Sequence, residues 1–148
     1  MNAEAPQGNA SIVSRLVELL LRQKEKFEQY LDVLRQEAKS IESGETEKLR
    51  VQLELENVII SEIRALRRSI EPLEDLRRST PERADASIRA LKAGLARMGE
   101  ELKRLNAANR AALKTRMEGL AGEIAGLRAW PRPAAAAVAA PSLIDITA

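Results

Sequence analysis

The chain contains no cysteine and no histidine. Without thiolates or imidazoles it can build neither a disulfide framework nor the usual zinc and copper sites, so no metal site is expected. Acid/base chemistry near neutral pH loses its commonest group as well. Aromatic side chains are almost as scarce, with Phe27, Tyr30 and Trp130 the three in the chain. A rounded core is therefore not expected, whereas helices packed along seams need Leu, Ile and Ala more than large rings. Long hydrophobic runs are missing too. The stretch from Leu19 to Leu21 is far too short for a signal segment or a membrane span, and no basic residue precedes Arg15. Neither export nor membrane insertion is expected, and the expected location is cytoplasmic.

Ala, Leu, Glu, Arg and Lys dominate, and 31% of the residues are charged, the composition of long packed helices or a coiled coil. Net charge is +2 over the whole chain, yet its distribution is uneven. Residues 80–133 hold eleven Lys and Arg against six Asp and Glu, an excess of five positive charges. Such a stretch could meet nucleic acid, an anionic membrane or an acidic protein. No aromatic stacking faces accompany the basic residues, so a solvated helix face accounts for them better than nucleic acid does.

Apolar spacing divides the chain into three helices. Residues 1–10, with Pro6 and Gly8, read as a flexible lead-in, and Asn9 or Ser11 can cap the first helix. Val13, Leu16, Leu20, Phe27, Tyr30, Leu34, Ala38 and Ile41 then recur every three or four positions, with one skip at Gln23. Ser43-Gly44 ends this helix through a left-handed glycine, and Glu45 and Glu47 favour the start of the next. The second stripe, Leu49, Leu53, Ile59 or Ile60, Ile63, Leu66, Ile70, Leu73 and Leu76, is broad around Val58 to Ile60 and predicts more than one neighbour. Pro72 within it predicts a kink, or a break with Ser69 capping a new segment.

Thr80-Pro81-Glu82 has the form of a helix start. The third stripe continues through Ile88, Leu91, Leu95, Met98, Leu102, Leu105, Asn109, Ala112, Leu120, Ile124 and Leu127, with Arg116 or Met117 filling the gap. A helix over 81–128 would be about 70 Å long and would outrun its partners. Gly94, Gly99, Gly119, Gly122 and Gly126 soften it, each at up to about 1 kcal/mol relative to alanine. Beyond Trp130, the Pro/Ala-rich stretch reads as a disordered linker, closing on the short apolar cluster Leu143-Ile144-Asp145-Ile146. The expected fold is all-α: an elongated antiparallel, coiled-coil-like bundle of three long helices over 11–129, followed by a disordered tail over 130–148.

No chemistry emerges from this pattern. The glycines stand singly on helices with no strand before them, so there is no phosphate loop. The paired acids lie beside Arg and Lys, as on solvated helix faces. No catalytic or cofactor-binding residue is assigned, no cofactor is expected, and the chain reads as a binding protein rather than an enzyme. Asn106 and Asn109 share a helix face. Either Asn109 is a buried amide that fixes helix register, or it meets the backbone of a partner. Trp130 either covers a bundle edge or anchors an interface.

Two segments carry a family resemblance. Ile41-Glu42-Ser43-Gly44-Glu45-Thr46-Glu47-Lys48-Leu49 leads into a Glu- and Leu-rich helix. Leu102-Lys103-Arg104-Leu105-Asn106-Ala107-Ala108-Asn109-Arg110-Ala111-Ala112-Leu113 places an Asn-x-x-Asn among leucines. With its three-helix order, the chain over 12–128 resembles the flagellar export chaperones of the FlgN family; Pro72, the glycines of 119–126 and the Pro/Ala tail depart from that pattern. The resemblance implies a cytoplasmic chaperone of the bacterial flagellar type III export system. Such a chaperone holds hook-filament junction (hook-associated) proteins by amphipathic terminal helices and delivers them to the export gate and its ATPase. A helical groove suits that cargo, because burying its apolar face blocks premature assembly. The expected cargo-binding residues are Leu105, Asn106, Asn109, Leu113, Met117, Leu120 and Ile124, with Trp130. The alternative is a self-associating coiled-coil structural or adaptor protein, whose seams would form a homodimer.

Overall fold

The computed structural model describes residues 4–79 and 86–127, which form three α-helices: α1 (Glu4–Ser43), α2 (Thr46–Arg78) and α3 (Ala86–Leu127). The expected helix start at 80–82, Trp130, the Pro/Ala stretch and the cluster at 143–146 lie outside the described residues.

The first turn is built on its glycine. Gly44 adopts φ +74°, and the Glu45 amide donates back to the Ser40 carbonyl at 3.0 Å, closing the left-handed cap that ends α1. Beyond it the Leu49 amide donates to the Glu45 carbonyl at 3.0 Å, and Glu47 supplies the acid of α2's first turn. The last turn of α1 holds no basic residue of its own. Arg116 of α3 fills that role: its Nη1 donates to the Glu42 carbonyl at 3.0 Å. A cation is thereby set on the negative end of α1 by a distant part of the chain.

Cross-helix contacts fix the directions. Tyr30 meets Glu56 and Lys26 meets Glu62, so α2 runs antiparallel to α1. Asn109 meets Leu34 and Arg116 meets Glu42, so α3 runs parallel to α1 in an up-down-up bundle. α1 packs on both other helices, while α2 and α3 barely touch, joined near their connection by Lys92 Nζ and Glu74 at 2.8 Å. The buried side chains Leu16, Leu19, Leu20, Phe27, Tyr30, Leu31, Val33, Leu34 and Ile41 of α1 accordingly span a broad face, which Ile59, Ile60, Ile63 and Ile70 of α2 and Ile88, Leu95 and Leu102 of α3 complete. Both aromatic rings in the described residues sit on this shared helix.

Three expectations are corrected. α1 begins at Glu4, not near Asn9 or Ser11; Pro6 falls in the first turn, where its missing N–H has no intrahelical partner to lose. α2 runs unbroken through Pro72, and Ser69 caps nothing, its hydroxyl instead donating back to the Ala65 carbonyl at 3.4 Å. Arg68, whose carbonyl would have accepted from residue 72, is exposed, so water can take the place of the N–H that proline removes. Finally, the helix with two neighbours is α1, not α2. Ile59 and Ile60 are buried against the bundle, but the width of the α2 stripe ends in solvent, with Val58 53% exposed. Leu53 and Leu76, expected in the seam, are also exposed.

α3 outruns its partners because of stagger rather than length, its 42 residues comparing with 40 in α1. Asn109 opposite Leu34 and Arg116 opposite Glu42 put the end of α1 level with Arg116. From there to Leu127 the helix extends by about 15 Å past the α1–α2 turn.

The glycines separate into two kinds. A Cβ at Gly44 would meet left-handed backbone and the Arg116 guanidinium at 2.6 Å, whereas at Gly119, Gly122 and Gly126 nothing lies within 4 Å. Gly44→Ala is expected to destabilise the chain by about 1–2 kcal/mol. The triple change of Gly119, Gly122 and Gly126 to Ala should raise helicity, at up to about 1 kcal/mol per site. Thermal denaturation observed by circular dichroism checks both; a rise in stability for Gly44→Ala would contradict the cap.

Candidate partner-binding surfaces

α3 divides where α1 ends. In the half beside α1, Leu105 is partly buried against the core, and Asn106 is half-buried and engaged in a polar contact. Asn109 is 7% exposed; its Nδ2 donates to the Leu34 carbonyl at 2.8 Å and faces Glu37 Oε2 at 3.5 Å. Its amide is thus spent inside the bundle, and the register-fixing alternative is the one realised. Asn109 belongs to the α1–α3 seam, and Leu105 packs against the core while staying partly exposed. Farther along, Leu113, Met117 and Ile124 are half-buried and Leu120 is 54% exposed. These four keep the three-and-four spacing of the seam: Leu113 still lies beside the last turns of α1, Met117 is level with its end, and Leu120 and Ile124 lie past it. Trp130 lies outside the described residues.

Asn109 also belongs to a buried polar cluster that unites all three helices. Tyr30 Oη donates to Glu56 Oε1 at 2.9 Å, and Glu37 and Glu56 are 3% and 2% exposed. Burial, then the hydrogen bond and charge of Glu56, push the Glu37 carboxyl up to about 9, while Asn109 pulls it the other way. Glu37 Oε1 is buried without a hydrogen-bond partner. Burial first, and Glu56 next, also push the Tyr30 hydroxyl up, so it remains a donor. The arrangement ties the three helices together, with Tyr30, Glu37, Glu56 and Asn109 all buried. Glu37 and Glu56 pass for surface charges in composition, but their spacing places them inside: Glu37 is three residues after Leu34, and Glu56 is three before Ile59 and seven before Ile63.

Two further features lie outside the seam. Between α1 and the first half of α3 runs an open groove of about 670 Å³, lined by Val17, Leu21, Leu91 and Met98 with Lys24 and Arg97. On α2, Val51, Leu55 and Val58 form a short exposed apolar stripe. Among the described residues no cluster of three or more acidic side chains could hold a metal ion, and no helix is long and apolar enough to cross a membrane.

Comparison with known proteins adds one relative. The chain is 30% identical over 117 residues to an uncharacterized protein of Treponema pallidum (strain Nichols), a match covering 79% of this chain and 75% of that one. The two belong to one family. The Treponema relative carries no stated activity, so membership assigns none. No protein-family model and no solved structure matches the chain. The likeness of its two segments to the flagellar chaperones therefore rests on those residues alone.

Because folded Glu37 holds a proton that the unfolded chain gives up near its ordinary value of 4.5, its contribution to stability falls as pH rises from about 4.5 to about 9. Glu37→Gln keeps the shape and a donor for Glu56 without the titration. It should raise the melting temperature relative to wild type at pH 8 and show no such gain at pH 4. An equal effect at both values would mean that Glu37 is not protonated in the fold.

Proposed function

We propose that this protein is a cytoplasmic chaperone of the bacterial flagellar type III export system. It holds hook-filament junction proteins by an amphipathic terminal helix, keeps them from assembling early and passes them to the export gate and its ATPase. The observation that carries the reading is the stripe of Leu113, Met117, Leu120 and Ile124, which continues the bundle seam from the last turns of α1 out past its end. A helix laid along this overhang buries its apolar face as a fourth member of the seam. The two segments that resemble the FlgN family, the three-helix architecture and the absence of any catalytic constellation in the sequence support it.

The overhang also suits a releasable complex. Gly119, Gly122 and Gly126 lower the intrinsic stability of this part of α3, so part of the binding free energy goes into ordering it. Tight recognition is then compatible with handover. Of the residues expected to meet cargo, the reading keeps Leu113, Met117, Leu120 and Ile124, and releases Leu105 and Asn109 to the fold.

The alternative of self-association finds its support in the α2 stripe of Val51, Leu55 and Val58. Three side chains over two helical turns are a small part of the roughly 800 Å² per partner that a stable interface buries. The overhang is the better-supported surface.

Calorimetric titration of the full chain with a purified hook-filament junction protein tests the proposal. Saturable binding is expected, and Leu120→Asp with Ile124→Asp should weaken it by at least about tenfold while the circular dichroism spectrum remains helical. Failure of the wild-type chain to bind any junction protein at micromolar concentration would refute it.

A further inference from the structure

We propose that the groove between α1 and the first half of α3 is a second docking site, and that its occupant is an amphipathic helix whose apolar stripe is flanked on both sides by carboxylates. The groove is separate from the overhang: Met98 and Leu120 stand about 33 Å apart along α3. Its floor is apolar, made by Val17 and Leu21 of α1 and Leu91 and Met98 of α3, and Leu21 is 50% exposed although it lies on the helix that organises the core. The lining stretches are parallel, about 10 Å long on α1 from Val17 to Lys24 and about 16 Å on α3 from Ser87 to Met98, the span of roughly seven to eleven helical residues.

The rims determine what fits. Lys24 stands on the α1 wall and Arg97 on the α3 wall, and no carboxylate is among the lining residues. Neither cation makes an ion pair among the described residues, whereas nearby Arg22 and Lys26 are bound to Glu18 and Glu62. Two cations facing each other across an apolar floor create a positive potential that favours a stripe with acids on both edges and opposes one with bases. Gly94 keeps the wall open between them, since the atom nearest to an added Cβ would be Arg97 Nη2 at 3.8 Å. A second copy of the chain is a poorer occupant. Its exposed α2 stripe has glutamates beside it, but Glu47 and Glu54 are both bound to Arg50.

The test uses the full chain and two fluorescent helical peptides of about 14 residues with the same leucine stripe, one flanked by Glu and one by Lys. Anisotropy titration should give saturable binding of the Glu peptide, about tenfold tighter than the Lys peptide and weakened by salt. Gly94→Leu fills the groove without removing a bundle contact and favours the helix, so it should abolish binding with the melting temperature unchanged or raised. Lys24→Glu with Arg97→Glu should reverse the preference between the peptides. Equal binding of both peptides, or binding that survives Gly94→Leu, would overturn the proposal. So would a dimer dissolved by Gly94→Leu, which makes a second copy the occupant, or tighter peptide binding after removal of 128–148, which makes it the chain's own tail. Leu120→Asp with Ile124→Asp should leave peptide binding unchanged, so failure here and failure of the chaperone reading are separate results.

Discussion

The structure depends on one helix being shared. α1 buries a face broad enough for two neighbours, while α2 and α3 barely touch each other. The long-range ties of α1 reflect that sharing: Tyr30 and Lys26 hold α2, the Leu34 carbonyl and Glu37 meet α3, and the carbonyl end of α1 receives Arg116. Since most helical stability in proteins comes from packing an apolar face, α2 and α3 are each held chiefly by α1. Where α1 stops, support for α3 stops, and an apolar stripe is left over. The overhang is thus a consequence of stagger between two helices of nearly equal length, set by the pairing of Asn109 with Leu34.

The polar cluster at the centre serves specificity. Two carboxyls buried together cost solvation, and the cost is lowered by keeping a proton on Glu37 and by donors from Tyr30 and Asn109. A slide of any helix by one turn would separate these partners and strand a buried acid. Aliphatic seams of Leu and Ile tolerate such slides far better, so the cluster discriminates among registers that the apolar residues leave similar. The basic groove and the overhang both inherit their geometry from this register.

Much of the fold is legible in the sequence, for physical reasons that differ by element. The turn at Gly44 announces itself because a left-handed cap needs glycine and an acidic first turn comes directly after it. The three stripes are legible because helical burial repeats every three or four residues. Which helix is shared is not legible: α2 carries the apolar run Val58 to Ile60 and α1 the equal run Leu19 to Leu21, each with one residue facing solvent, while the rest of the breadth of α1 is spread thinly along its length. Pro72 misleads in the opposite direction, since its cost is borne on an exposed face. Of the candidate site, Leu113 to Ile124 stand out as a continuation of the seam, but whether Asn109 serves fold or partner depends on what lies across from it. The groove with Lys24 and Arg97 has no signal in the sequence, because its two walls come from separate helices far apart along the chain.

We propose that α3 beyond Arg116, which α1 no longer covers, is a partner-binding helix. Amide hydrogen exchange of the full chain, alone and saturated with a hook-filament junction protein, tests it most directly. Fast exchange over 117–127 is expected in the free chain, with strong protection there on binding and little change over 88–109. Protection already complete over 117–127 in the free chain, or gained only elsewhere on binding, would contradict it.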